Sequence, residues 1–235
     1  MVDSVQLVAH RGDPVRAPEN TMASWESAAA RGAGTIEVDL RRTADGEWIV
    51  IHDSTLRRTA GTKGRVSRKR WRLLSRLDVG SWFSARFEKE RIPSLKEALA
   101  FCKRKKLSLF LDLKVARHEK EILRVVRTSG WSDHVLIGAG TAPSLRRWRA
   151  LDGKIPLYWV TGFRGKATSR RLRRACRLKV TGLAMYKKRL TKQTVERIHD
   201  AGLKIYVWTA VTASELRKFS CYGVDGIMSE VWPPL

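Results

Sequence analysis

The amino-acid sequence predicts a single (β/α)8 TIM-type barrel carrying one antiparallel hairpin strand after its second strand. Three observations lead there. The chain has 235 residues, close to the roughly 250 that one such barrel uses, so one domain over residues 1–235 is expected and little remains for a second. Short apolar runs alternate with longer amphipathic stretches, the rhythm of βα units around a parallel sheet. One Asp-Gly dipeptide joins two of the runs too closely for a parallel crossover.

The apolar runs are Val5–His10, Thr35–Leu40, Trp48–Asp53, Ser108–Lys114, His134–Ala139, Pro156–Thr161, Gly182–Tyr186, Lys204–Thr209 and Asp225–Ser229. They are one more than the barrel needs. Asp45-Gly46 reads as a two-residue hairpin turn, which makes Trp48–Asp53 the surplus, antiparallel strand. The helices show starts and stops. Asn20 or Thr21 caps the first, and Arg31-Gly32 closes it. Pro93-Ser94 opens another through Cys102, and Leu190-Thr191 opens one that ends at Ala201-Gly202.

Hydrophobic content of 43% supports a large core and argues against wholesale disorder. The cysteines Cys102, Cys176 and Cys221 form no CxxC or Cys/His spacing, so neither a disulfide framework nor a zinc site is expected; they read as packing thiols. Met1-Val2-Asp3-Ser4 runs straight into a strand without the pattern of a signal peptide. No apolar run reaches the roughly 18 residues of a membrane helix. A reducing cytoplasm is the expected compartment.

In barrels of this kind the working residues sit at the C-terminal ends of the strands. His10-Arg11-Gly12 stands there after the first run. Glu37 and Asp39 are two apart on the second and share a face. A two-residue Asp45-Gly46 turn sets Asp39 opposite His52. Asp112 and Lys114 are likewise two apart. Two histidines, three carboxylates, an arginine and a lysine are thus expected around one barrel mouth. Three converging carboxylates repel unless protonated or bridged by a cation, and an all-oxygen set suits one divalent cation, Mg²⁺ or Ca²⁺, better than zinc. Arg11 and Lys114 suit phosphate oxygens. Two histidines can divide proton removal from proton donation.

These residues sit in an ordered series: His10-Arg11-Gly12, Pro18-Glu19-Asn20-Thr21, Glu37-Val38-Asp39, His52-Asp53, Gly80-Ser81-Trp82-Phe83, Arg91-Ile92-Pro93-Ser94-Leu95, Asp112-Leu113-Lys114 and Trp208-Thr209. The series resembles the successive motifs of glycerophosphodiester phosphodiesterases over nearly the whole chain. The resemblance implies a barrel of the PLC-like phosphodiesterase kind that hydrolyses glycerophosphodiesters to an alcohol and glycerol phosphate. It implies His10 and His52 as the acid–base pair, with His10 preferred as acid. It implies Glu37, Asp39 and Asp112 as metal ligands, Arg11 and Lys114 on the phosphate, and Trp208 lining the substrate pocket. Three positions depart from the family's pattern. Asp112 stands where Glu is common, which shortens the ligand by one carbon. Val211 stands where Asn is frequent, and Glu230 stands where Asp is usual.

Plainer readings cover much of the rest. His118, His134 and His199 read as satisfied structural residues. Asp53 reads as a loop residue facing away from His52, Glu230 as a change of little effect, and Trp82 and Phe87 as packing or contacts to the substrate's alcohol. Ser4 and Ser54 lack the strand-to-helix elbow of a serine nucleophile. The charge is another matter: 47 Lys and Arg against 23 Asp and Glu give +24. Basic runs at Arg68–Arg72, Lys103–Lys106, Arg170–Arg174 and Lys187–Arg189 fall mostly on outer helices. Such an excess attracts anionic partners in a salt-sensitive way. Peripheral recruitment to anionic membrane is expected, and nucleic acid is not expected as substrate. The rival readings are a lysophospholipase D acting on lysophospholipids and, more distantly, a non-enzymatic binder of nucleic acid or membrane. Oligomeric state is not encoded legibly.

Overall fold

The protein is described here as a computed structural model covering residues 5–162 and 165–232. The leader reading of Met1-Val2-Asp3-Ser4 lies outside the described residues. In chain order the elements are β1 (Gln6–His10), α1 (Met22–Ala30), β2 (Thr35–Arg42), β3 (Trp48–Val50), α2 (Arg57–Ala60), α3 (Trp71–Leu74), α4 (Leu95–Lys105), β4 (Ser108–Leu113), α5 (Glu119–Thr128), β5 (Val135–Ala139), α6 (Ala142–Leu151), β6 (Leu157–Val160), α7 (Ser169–Arg177), β7 (Gly182–Tyr186), α8 (Lys192–Asp200), β8 (Lys204–Ala210), α9 (Ala213–Cys221) and β9 (Gly226–Ser229). β1 pairs in parallel with both β2 and β9, so the order β1-β2-β4-β5-β6-β7-β8-β9 closes on itself. Among the described residues this is the expected eight-stranded barrel, with β3 added antiparallel to the C-terminal end of β2, at Leu40–Arg42.

The period of two along each strand sorts side chains into two cores. Ile36, Val38, Leu40, Leu109 and Leu111 point outward and are buried under the helices with Trp25, Phe101 and Trp148. Val8, Phe110, Tyr158, Ala184, Tyr206 and Met228 point inward and fill the barrel's waist. The residues two further along the same strands, His10, Asp112, Tyr186 and Trp208, therefore reach the mouth.

The hairpin forms in a register one residue from the expected one. Arg42 pairs with Trp48 and Leu40 with Val50. Thr43 N donates to Glu47 O, so the loop holds Ala44, Asp45 and Gly46, the last at φ +93. A three-residue loop closed by a left-handed glycine takes one residue more than the two-residue turn. Ile51 N then donates to Asp39 O, and His52 lies beyond the strand rather than opposite Asp39. Residues 51–94, for which the sequence offered little, wrap a satellite core of Ile49, Ile51, Leu56, Val66, Leu74, Val79 and Ile92 beside the hairpin.

Helix ends follow local chemistry. Thr21 caps α1, its side chain accepting from Ser24 N. Ser94 and Glu97 form a reciprocal capping box on α4, an arrangement worth about 1 kcal/mol, and α4 runs past Cys102 to Lys105. Cys102 is buried and its thiol is pushed up to about 12 by that burial. Cys176 and Cys221 are exposed, so the packing reading fails for those two: both sit near helix ends on outward faces. No described helix is long and apolar enough to cross a membrane.

Glu119 ties α5 to α6, accepting from Arg147 at 2.8 and 2.9 Å and from Ser144 at 2.7 Å. Burial would raise its carboxyl, but the Arg147 and Ser144 hydrogen bonds outweigh this and lower it from 4.5 to about 2. A depressed carboxylate stabilises the fold above its unfolded value and loses that contribution as pH falls through the folded one. Glu119→Gln is expected to cost about 1 kcal/mol at pH 7, the well-exposed Arg147 keeping the pair modest. It is also expected to flatten the fall of Tm between pH 4.5 and about 2. An unchanged Tm–pH slope in the variant is the contrary result.

Candidate active site

His10 ends β1, and strand register sets it beside Glu37, while Asp39 lies beside Asp112. The chain then turns sharply. Arg11 and Gly12 take φ of +58 and +94, a region glycine enters freely and other residues rarely. A Cβ on Gly12 would also collide with Ser24 of α1. This turn aims Arg11 N at Glu37 Oε2, 3.0 Å away.

The three carboxylates offer oxygens within 4.8 Å of one another. Asp39 is the most heavily engaged. It takes Asn20 Nδ2 at 2.8 Å, Lys114 Nζ at 2.9 Å and Arg11 Nε at 3.0 Å, the last close in distance without hydrogen-bond alignment. Burial alone would raise its carboxyl, but Lys114 and Arg11, with the two histidines, hold it well below the usual range. Glu37 goes the other way. Complete burial and the neighbouring Asp39 and Asp112 push it well above the ordinary carboxylate value. Lys114 also pairs with Asp112 at 2.6 Å. Burial would lower its ammonium, yet the three carboxylates raise it.

Each histidine has a carboxylate behind it. His10 Nδ1 lies 2.9 Å from Glu230 Oε1, and His52 Nδ1 lies 2.7 Å from Asp53 Oδ1. A carboxylate only accepts, so both Nδ1 atoms donate and both Nε2 atoms are left with a lone pair or a proton for chemistry. Burial lowers the pKa of His52 below its ordinary value; Asp39 and the Asp53 hydrogen bond oppose that, and Arg11 adds to it. Asp53 is lowered to about 2, first by Arg58 and then by His52. Arg58 also holds Glu19 at 2.7 Å, and Glu19 holds Arg11 at 3.0 Å. One ionic chain thus links Arg11, Glu19, Arg58, Asp53 and His52.

A cavity of about 680 Å³ opens at this mouth. His10, Arg11, Glu37, His52, Asp112, Lys114 and Trp208 line it, and Asp39 stands just behind. The predicted residues are therefore gathered at one place. Val160, Trp208, Val211 and Met228 give the same cavity an apolar lining. Trp208 donates its indole N–H to Ala184 O at 3.1 Å, which fixes the ring. Trp82 and Phe87 do not line the cavity; they pack with Phe83.

The donor set fits a hard cation. It is all oxygen, and the three carboxylates, when all are ionised, outnumber Arg11 and Lys114 by one charge. Glu37, pushed toward its neutral form by its neighbours, would be relieved by added positive charge.

Four residues carry more of the site than the sequence reading gave them. Asp53 faces His52 rather than away from it, because its own side chain closes back onto the ring through adjacent backbone. Glu230 supports His10, its Oε1 lying 2.9 Å from His10 Nδ1. Asn20 does not cap α1: at φ +58 it sends its amide to Asp39. Arg58, in the unread segment after β3, closes the ionic chain. The signal available was Glu19-Asn20 inside a motif whose cap was already supplied by Thr21.

Comparisons with known proteins show the family. The sequence profile described as the Glycerophosphoryl diester phosphodiesterase family matches residues 10–231. The chain is 32% identical over 228 residues to YhdW of Bacillus subtilis (strain 168), covering 95% of this chain and 93% of that one. It is 28% identical over 231 residues to the glycerophosphodiester phosphodiesterase of Caldanaerobacter subterraneus subsp. tengcongensis, with the same 95% and 93% coverage. Its fold is similar to that of an Oleispira antarctica phosphodiesterase solved in complex with the product sn-glycerol-3-phosphate. There the TM-score is 0.87 and the identity 28%, over 96% of this chain and 92% of that one.

Proposed function

Because this chain belongs to the glycerophosphoryl diester phosphodiesterase family and is a phosphoric diester hydrolase, we propose that it hydrolyses glycerophosphodiesters to an alcohol and glycerol phosphate by acid–base catalysis between His10 and His52. The observation that carries this reading is the convergence of both carboxylate-backed histidines on one cavity with Arg11 and Lys114. His52, its pKa lowered by burial, is neutral near pH 7 and takes the proton of the attacking hydroxyl through Nε2. His10, its Nδ1 proton held on Glu230, donates from Nε2 to the departing alcohol oxygen. Arg11 and Lys114 face the phosphate's oxygens and disperse their charge. Glu37, Asp39 and Asp112 would hold one divalent cation, Mg²⁺ or Ca²⁺, which supplies further positive charge to a non-bridging oxygen.

The apolar wall of Val160, Val211 and Met228 favours a second reading, the same chemistry on a lysophospholipid whose chain would lie there. Release of choline from glycerophosphocholine, measured with Mg²⁺, with Ca²⁺ and with EDTA, tests the first reading; choline release from lysophosphatidylcholine under the same conditions tests the second. Turnover is expected with the cation and not with EDTA. Full activity in EDTA would remove the cation from the mechanism, and absence of turnover on either substrate would remove the proposed substrate class.

A further inference from the structure

We propose that the face formed by residues 166–200 is a docking surface for an anionic lipid bilayer. In this stretch 12 Lys and Arg stand against Glu196 and Asp200, so 35 residues hold +10 of the chain's +24. α7 is its centre. Leu172 and Ala175 anchor the helix inward, and Arg170, Arg173, Arg174 and Arg177 are exposed on its outer side. The basic end of α4 differs: there Arg104 and Lys105 both meet Glu26, at 3.3 and 2.6 Å.

The α7 face also has a shape suited to a phosphate headgroup. Lys166, Lys188, Arg189 and Arg197 line one cleft of about 340 Å³ together with Thr168 and Thr191. These threonines are the N-caps of α7 and α8, so the positive ends of two helix dipoles add to the four side chains. The face continues to the rim of the catalytic cavity. Lys187 lines that cavity and pairs with Glu215 at 2.7 Å, and Glu215 in turn holds Val211 N at 2.8 Å. Val211 is 43% exposed. A cationic face bordered by an exposed apolar side chain fits a lipid–water interface. Single-stranded nucleic acid fits less well, since it is gripped by exposed aromatic rings; Tyr186, the stretch's one Phe, Trp or Tyr, is half-buried in the cavity wall. The choice of a lipid surface rests on the proposed phosphodiesterase reading; the charged face does not.

The test is co-sedimentation of the full chain with phosphatidylcholine vesicles, with and without phosphatidylglycerol, at low and high salt. Binding is expected only with phosphatidylglycerol and is expected to weaken with salt. R170E/R173E/R174E/R177E is expected to lower the apparent affinity by about a hundredfold or more, and the neutral Arg→Gln set by less. K96E/K103E/R104E/K106E, the same charge change on α4 and the residue that follows it, is expected to stay within about threefold. Glycerophosphocholine turnover in solution, expected to be unchanged in every variant, reports folding and catalysis separately from docking. Equal binding to both vesicle types overturns the proposal, as do equal losses in the α7 and α4 variants. Tighter binding to duplex DNA than to the phosphatidylglycerol vesicles at one salt concentration also overturns it.

Discussion

His52→Ala is expected to lower kcat on glycerophosphocholine by about 10²–10⁴-fold, the usual contribution of a positioned acid or base, with little change in Tm because the ring is about a third exposed. His10→Ala should fall in the same range. The double variant should lose little more than the worse single one, since the two act on one transition state. The pH profile separates their roles. A base must be unprotonated, and burial lowers the pKa of His52 from 6.5, so the acid limb of kcat/KM should lie below that value. Asp53→Asn removes a hydrogen bond that raises the His52 pKa. It should move the limb to still lower pH while reducing kcat by about 10–100-fold through loss of ring orientation. A limb that moves upward in Asp53→Asn, or stays fixed in His52→Ala with activity retained, assigns the base elsewhere.

Asp39→Asn carries the second large effect, and it falls on stability as well as turnover. Asp39 is 1% exposed and is the shared counter-charge of Arg11 and Lys114. Removing one partner of a buried ionic cluster costs about 3–5 kcal/mol, or a Tm lower by about 10 °C in a chain of this size. Relief comes from one side. Asp39 is a cause of the raised Glu37 carboxyl, so without it Glu37 ionises more readily and supplies part of the lost charge. Asp112→Asn, with Asp112 18% exposed, should cost less. Thermal melts with and without Mg²⁺ check both variants; a Tm within about 2 °C of wild type in Asp39→Asn would contradict the role given to the cluster.

Much of this molecule was legible before its coordinates, for physical reasons. The barrel follows from short strand runs whose outward residues, such as Ile36 and Leu111, are apolar enough to be covered by helices. The mouth follows from charged residues at strand ends, where no apolar reading of His10, Glu37 or Asp112 is available. The family motifs then tied those ends together. The hairpin register was not legible, because Asp45-Gly46 closes two-residue and three-residue loops alike, and the hydrogen bond from Thr43 N to Glu47 O decides. The supporting carboxylates were not legible either. Asp53 was judged by strand alternation, yet it lies where the strand has already ended. Glu230 comes from the far end of the chain, and nothing local in the sequence points it at His10.

The cavity is divided by chain position. His10, Arg11, Glu37, His52, Asp112 and Lys114 come from the first half of the sequence, whereas Val160, Tyr186, Trp208, Val211 and Met228 come from the second. A graft of residues 140–229 from a relative with another preferred alcohol keeps every ionisable group of the mouth except Tyr186 and Lys187 in place, and leaves Glu230 just outside the exchanged segment. Half-barrel chimaeras are expected to change the leaving-group preference while the proposed acid–base pair stays in place.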